Sequence, residues 1–74
     1  MSWDNKTAGA VIRDEMKAKK VTVATLASEM DRSVNTARRR LNGEGTWHLC
    51  EVLSAARVLD LQPSELLAKV EARV

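Results

Sequence analysis

The chain is expected to be all-α, a compact bundle of five short helices, and three observations predict it. Apolar residues recur at three- and four-residue spacings along almost the whole chain. No stretch alternates apolar and polar residues as a half-buried strand would. Breakers are few: three glycines and one proline in 74 residues leave long segments free to be helical.

The first segment runs from about Asn5 to Lys19, with Ala8, Val11, Ile12 and Met16 forming one apolar stripe. Asp4 suits its N-cap, and Lys17, Lys19 and Lys20 suit the negative end of the helix dipole. The second runs from about Val23 to Met30, capped by Thr22, with Val23, Leu26, Ala27 and Met30 on its apolar face. The third runs from about Val34 to Leu41, starting at Ser33, and Gly43 supplies the left-handed residue wanted at its end. Only Asp31, Arg32 and Ser33 separate the second and third segments, which forces a sharp angle between them. The fourth begins at Trp47 or Leu49, behind Thr46 or His48 as cap, and ends near Leu59. Its expected buried face is Leu49, Val52, Leu53, Ala56 and Leu59. The fifth starts at Pro63, a residue suited to a first helical turn, with Gln62 as cap and Glu65 near the positive end. Its stripe is Leu66, Leu67, Val70 and Val74, and whatever the core does not use of it is a candidate dimer face. No repeat, linker or low-complexity tract interrupts residues 1–74, which read as a single domain.

Composition narrows the chemistry. With two tryptophans and no phenylalanine or tyrosine, the core must be largely aliphatic. A single cysteine, Cys50, excludes an internal disulfide or a multi-cysteine zinc site. Its place in the fourth segment suggests a small buried hydrophobe. The lone His48 reads as a cap or surface residue. Trp47 reads as core or as a lid over the third and fourth segments. Trp3 is left open between docking on the bundle and lying loose. There is no paired-carboxylate site, no nucleophile beside a base, no Gly-rich phosphate loop and no metal cluster, so no enzyme, cofactor or metal is expected. No apolar run approaches a membrane span or a secretory signal, so the expectation is an intracellular protein without membrane contact.

The net charge of +2 conceals a division. Residues 1–40 carry nine Lys/Arg against five acids, a net +4, and residues 41–74 carry three against five, a net −2. The densest point is Arg38, Arg39 and Arg40 on the third segment. At about 100° per residue, Val34, Ala37 and Leu41 fall together on a thin core-facing edge. Asn35, Thr36, Arg39 and Asn42 lie opposite, flanked by Arg38 and Arg40. Arginine bonds guanine, and asparagine adenine, through paired donors and acceptors, so this face has the chemistry of DNA readout. Arg38 and Arg40 can splay towards phosphates, and the helix starts at Thr22 and Ser33 offer backbone N–H groups to the same end.

At this point the stretch "TLASEMDRSVNTARRRLNGEG" resembles the helix-turn-helix of the Cro/phage-repressor (XRE) family. Leu26, Ala27, Met30, Ser33 and Thr36 match that pattern, as do Ala37, Arg39, Leu41, Asn42 and Gly43. The following "LCEVLSAARVLDLQPSELL" is similar to the family's fourth helix and the start of its fifth, with Leu59, Leu61, Pro63, Leu66 and Leu67 at the signature positions. The likeness covers roughly residues 8 to 68. It departs in the turn, where Asp31 replaces a usual glycine and Arg32 a usual apolar residue. Asp31 tolerates a left-handed backbone better than most residues, and Arg32 can lay its stem on the core with its head outward.

The resemblance implies a lambda-repressor-like five-helix bundle with its helix-turn-helix at about 23–42 and its recognition helix at about 34–42. It implies that the third helix enters the major groove of operator DNA. By matching position, Val34, Asn35, Arg38 and Arg39 would meet base edges. Thr22, Ser33, Thr36, Arg40, Asn42 and Thr46 would meet phosphates, with Lys19, Lys20 and Arg32 adding non-specific attraction. The implied protein is a transcription regulator of the small phage or prophage repressor or Cro-like kind. It would act at the nucleoid in a bacterial cytoplasm, as a homodimer on a near-palindromic site. No ligand-sensing domain and no small-molecule ligand are expected. The competing expectation is a protein-docking module of the same fold, antitoxin- or anti-repressor-like, using the surface of the fourth and fifth helices.

Overall fold

The computed structural model describes residues 3–74. Five helices occupy them: α1 (Asn5–Lys19), α2 (Val23–Met30), α3 (Val34–Leu41), α4 (Leu49–Val58) and α5 (Pro63–Arg73), with no strand among the described residues. The boundaries follow from caps. The Asp4 carboxylate accepts from the Lys6 N–H, Thr22 Oγ1 from the Thr25 N–H and Ser33 Oγ from the Thr36 N–H. At α4 and α5 the third helical residue reaches back instead: Glu51 accepts from the His48 N–H and Glu65 from the Gln62 N–H, each at 2.9 Å. His48, and not Thr46, is therefore the α4 cap.

Four helices end the same way. After α1, α2, α3 and α4, the Val21, Arg32, Glu44 and Leu61 N–H groups each reach back five residues, over left-handed Lys20, Asp31, Gly43 and Asp60. Asp31 at φ 55° takes the backbone form usually given to glycine, as expected of it. In such an end the residue after the left-handed one usually buries an apolar side chain. After α2 that residue is Arg32, and its unusual partner is described below.

The core takes side chains from every helix: Ala8, Val11, Ile12 and Met16 from α1, Leu26 and Met30 from α2, Leu41 from α3, Val52, Ala55 and Ala56 from α4, and Leu66 and Val70 from α5, with Leu59 and Trp47 from the connections. α1 packs on α3 and α5, α2 on α3 and α4, and α4 on α5. The α1–α3 crossing is so close that a Cβ on Gly9 would stand 2.5 Å from the Leu41 carbonyl oxygen, so no other residue fits there. Trp3 docks against the core, and Asn5 Oδ1 accepts from its indole at 2.8 Å and from the Trp47 N–H at 3.3 Å. Among the described residues no helix is long and apolar enough to cross a membrane.

Three expectations change. The α4 face turned inward is Glu51, Val52, Ala55 and Ala56, while Leu53 is exposed and Leu49 is 74% exposed. Cys50 is exposed too, since it lies about 200° around the helix from Val52. The rotation is set by Glu51, which is drawn inside by polar partners that periodicity alone does not register. Val34 is exposed, because α1 crosses α3 only at its other end, near Leu41, leaving Ala37 and Leu41 as the core edge. Finally, Leu66 and Val70 are fully buried and cannot form a dimer face; of that stripe Leu67 is half-buried and Val74 exposed.

Candidate nucleic-acid interface

α2 and α3 pack against each other across the three-residue turn, and α3 presents one face, Val34, Asn35, Arg38 and Arg39, outward. Ser33 anchors the start: its Oγ accepts from the Thr36 N–H at 3.1 Å and lies 3.0 Å from Thr36 Oγ1. Beyond it Val34, Asn35, Arg38 and Arg39 are all exposed on one short helix. Arg39 has only a loose ion pair with Glu44, at 3.9 Å and exposed on both sides. Arg38 has no carboxylate partner among the described residues. The four side chains expected at base edges are thus together and accessible.

The residues expected at phosphates are scattered in their commitments. Thr22, Ser33 and Thr36 are bound up in caps at the starts of α2 and α3. Asn42 Oδ1 accepts from Arg13 Nη2 at 2.5 Å, and the same nitrogen donates to the Leu41 carbonyl at 2.9 Å, locking α1 to the end of α3. Thr46 is exposed in the loop before α4. Of the residues expected to add general attraction, Lys20 is exposed, whereas Lys19 turns its ammonium to the Leu59 carbonyl at the end of α4.

Arg40 and Arg32 have a different assignment from the one expected. Both donate through Nε to Glu51, Arg40 to Oε1 and Arg32 to Oε2, each at 3.1 Å. The Glu51 side chain is fully buried, that of Arg40 is 17% exposed and that of Arg32 is 44% exposed. Arg40 also fills the space beside Gly45, where a Cβ would stand 2.6 Å from Nη1. Burial pushes the Glu51 carboxyl up, but the His48 N–H and the two arginines outweigh it and hold the group below the ordinary glutamate value. Arg32 is pushed further towards the charged form by its bond to Glu51. This cluster joins the turn, α3 and α4 in one polar knot. The only sequence signal for it was the three-residue spacing from His48 to Glu51, which suits a helix start. Nothing in the sequence pointed to the arginines.

Among the described residues no group of three His, Cys, Asp or Glu side chains is placed to hold a metal ion. Compared with protein-family models, curated proteins and solved structures, the chain matches none.

Proposed function

We propose that this chain is a sequence-specific double-stranded DNA-binding regulator that reads the major groove with α3, and that it is of the small phage or prophage repressor or Cro-like kind. The observation that carries this reading is the exposed set Asn35, Arg38 and Arg39 on a helix whose start is capped by Ser33 and whose far edge is fixed by Ala37 and Leu41. These side chains have the donors and acceptors for guanine and adenine edges. Val34, exposed beside them, suits a thymine methyl. Phosphate contact falls to the Thr22, Ser33 and Thr36 helix starts, to Thr46 and to Lys20, with Arg40 acting from behind to hold α3 on α4. Two copies on a near-palindromic site are part of this reading. The apolar surface left for pairing is Leu49, Leu53 and Leu67, not Leu66 and Val70.

The test is a fluorescence-anisotropy titration against a random duplex and duplexes from the DNA beside the chain's own gene, at two salt concentrations. The expected result is tight binding to one local duplex, with weaker and salt-steep binding to random DNA. The double variant Arg38→Ala, Arg39→Ala is expected to fold normally and to bind its site at least about tenfold more weakly, since each paired base contact is worth about 1–3 kcal/mol. Absence of binding to any duplex at low salt sinks the reading. Undiminished binding by the double variant removes α3 as the reading helix.

A further inference from the structure

The ion pairs are unevenly distributed over the surface. Arg32, Arg39, Arg40, Arg57, Lys69 and Arg73 each face a carboxylate. Four of the other cations, Arg13, Lys17, Lys20 and Arg38, surround one groove between the end of α1, the start of α2 and α3. No aspartate or glutamate lines it. Asp14, beside Arg13 in sequence, is held by Arg73 on another flank of α1. The hydrogen bonds of Arg13 go to neutral oxygens, and among the described residues none of Arg13, Lys17, Lys20 and Arg38 is within salt-bridge distance of a carboxylate. The floor is apolar, made of Met16, Val21, Val23 and Leu41. The groove is open to solvent and offers about 590 Å³, within the usual range for small-ligand sites. Like charges around a concave apolar floor focus a positive potential into it. Asp14 acts on Arg13 and Lys17 from the far side of α1 but does not line the groove, so an anion from outside that also covers the floor with an apolar body complements it.

We propose that this groove is a binding site for a small organic phosphate monoester: a dianionic head among the four cations and an apolar body on Val21, Val23 and Met16. If the DNA-binding reading above holds, such a ligand competes with DNA for Arg38; this consequence alone rests on that reading. It revises the expectation that no small-molecule ligand is taken.

The test uses the full chain without DNA. Methyl NMR of Met16, Val21 and Val23 is followed while 1-naphthyl phosphate is added, with inorganic phosphate and 1-naphthol as separate titrations. The expected result is saturable shifts with naphthyl phosphate alone. Affinity should fall at least about tenfold in Lys17→Ala, Lys20→Ala, because charge-assisted contacts are lost. Both lysines are exposed, so the variant should keep the wild-type amide spectrum. No saturable shift, equal affinity in the variant, or the same shifts with inorganic phosphate would each overturn the proposal. A parallel titration with duplex DNA keeps the two readings apart. DNA binding without a response to naphthyl phosphate overturns the groove site and leaves the regulator standing. A response to naphthyl phosphate without DNA binding does the reverse.

Discussion

Two basic regions lie within a few residues of each other and are built on opposite terms. Arg32 and Arg40 converge on Glu51, which pairs with both from inside the fold and leaves the cluster a net +1. Arg38 joins Arg13, Lys17 and Lys20 around a groove with no carboxylate in its lining. Arg38 and Arg40 are two positions apart, roughly 200° around α3, so one helix sends one arginine inward and one outward. Arg39, between them, keeps only an exposed contact with Glu44. Three identical residues in a row therefore have three fates. The difference teaches that a count of positive charge says little about how much of it is available to a partner. Availability is decided by where the carboxylates fold, and a single buried glutamate draws Arg40 inside and ties down the half-exposed Arg32.

The largest expected effect comes from removing that glutamate. Glu51→Ala leaves the nearly buried Arg40 guanidinium without its anion, a loss of about 3–5 kcal/mol by analogy with other broken buried pairs. A domain of this size has only about 4–11 kcal/mol in total, so the variant should be marginal or unfolded in a urea titration. Next comes Arg40→Ala, expected to cost about 1.5–3 kcal/mol, because Glu51 keeps Arg32 and the His48 N–H. Arg32→Ala should cost the least of the three, since that side chain is 44% exposed and Glu51 keeps Arg40 and the His48 N–H. The order Glu51, Arg40, Arg32 follows their burial. Equal losses for the two arginines would break the contrast between an inward and an outward partner.

Acid sharpens the same comparison. Glu51 has a depressed folded-state value. Its contribution is therefore fully present above the unfolded value, about 4.3, and is lost as the pH falls through the folded value. Asp4, lowered by its bond from Thr7, and Asp14, lowered by Arg73, act in the same direction, so the acid limb of the wild type is a sum. The difference between wild type and Glu51→Gln isolates the buried group. Urea stabilities of the two should converge as the pH is taken below about 4. Curves that stay parallel would mean that the cluster holds by shape and not by charge.

The five helices, most of their starts and two of their left-handed ends were legible because caps and periodicity are local properties of a few adjacent residues. Ser33, Thr22, Asp4 and Pro63 act on their own helices, and Asp31 and Gly43 on their own backbones. The outward face of α3 was legible only in part: the helical angle put Asn35, Arg38 and Arg39 outside, but it also put Arg40 outside and Val34 on the core edge. What escaped was whatever depends on two distant segments meeting. Glu51 reaches Arg32 across 19 positions and Arg13 reaches Asn42 across 29, and no period encodes such distances. The rotation of α4 failed for that reason as well. A glutamate that an apolar stripe does not register lies on the buried face, so Leu49 and Leu53 came out and Ala55 went in.

The smallest effect probes the outward region. Arg38→Ala removes a cation that has no carboxylate partner among the described residues and that shares its groove with Arg13, Lys17 and Lys20. No favourable contact is lost, and like-charge repulsion is relieved, so stability should change by no more than about 0.5 kcal/mol, in the stabilising direction. Salt supplies the sharper sign. The Debye length falls from about 30 Å at 0.01 M to about 8 Å at 0.15 M, so added salt screens the groove. If like-charge repulsion is the cause, the gain over wild type should be visible in urea melts at low salt and vanish at physiological ionic strength. A loss of stability on Arg38→Ala, insensitive to salt, would mean that its side chain packs on the groove floor through its methylenes. The inward and outward arginines of α3 would then both be structural, and the charge left free for a partner would shrink to Arg39 and the lysines of α1.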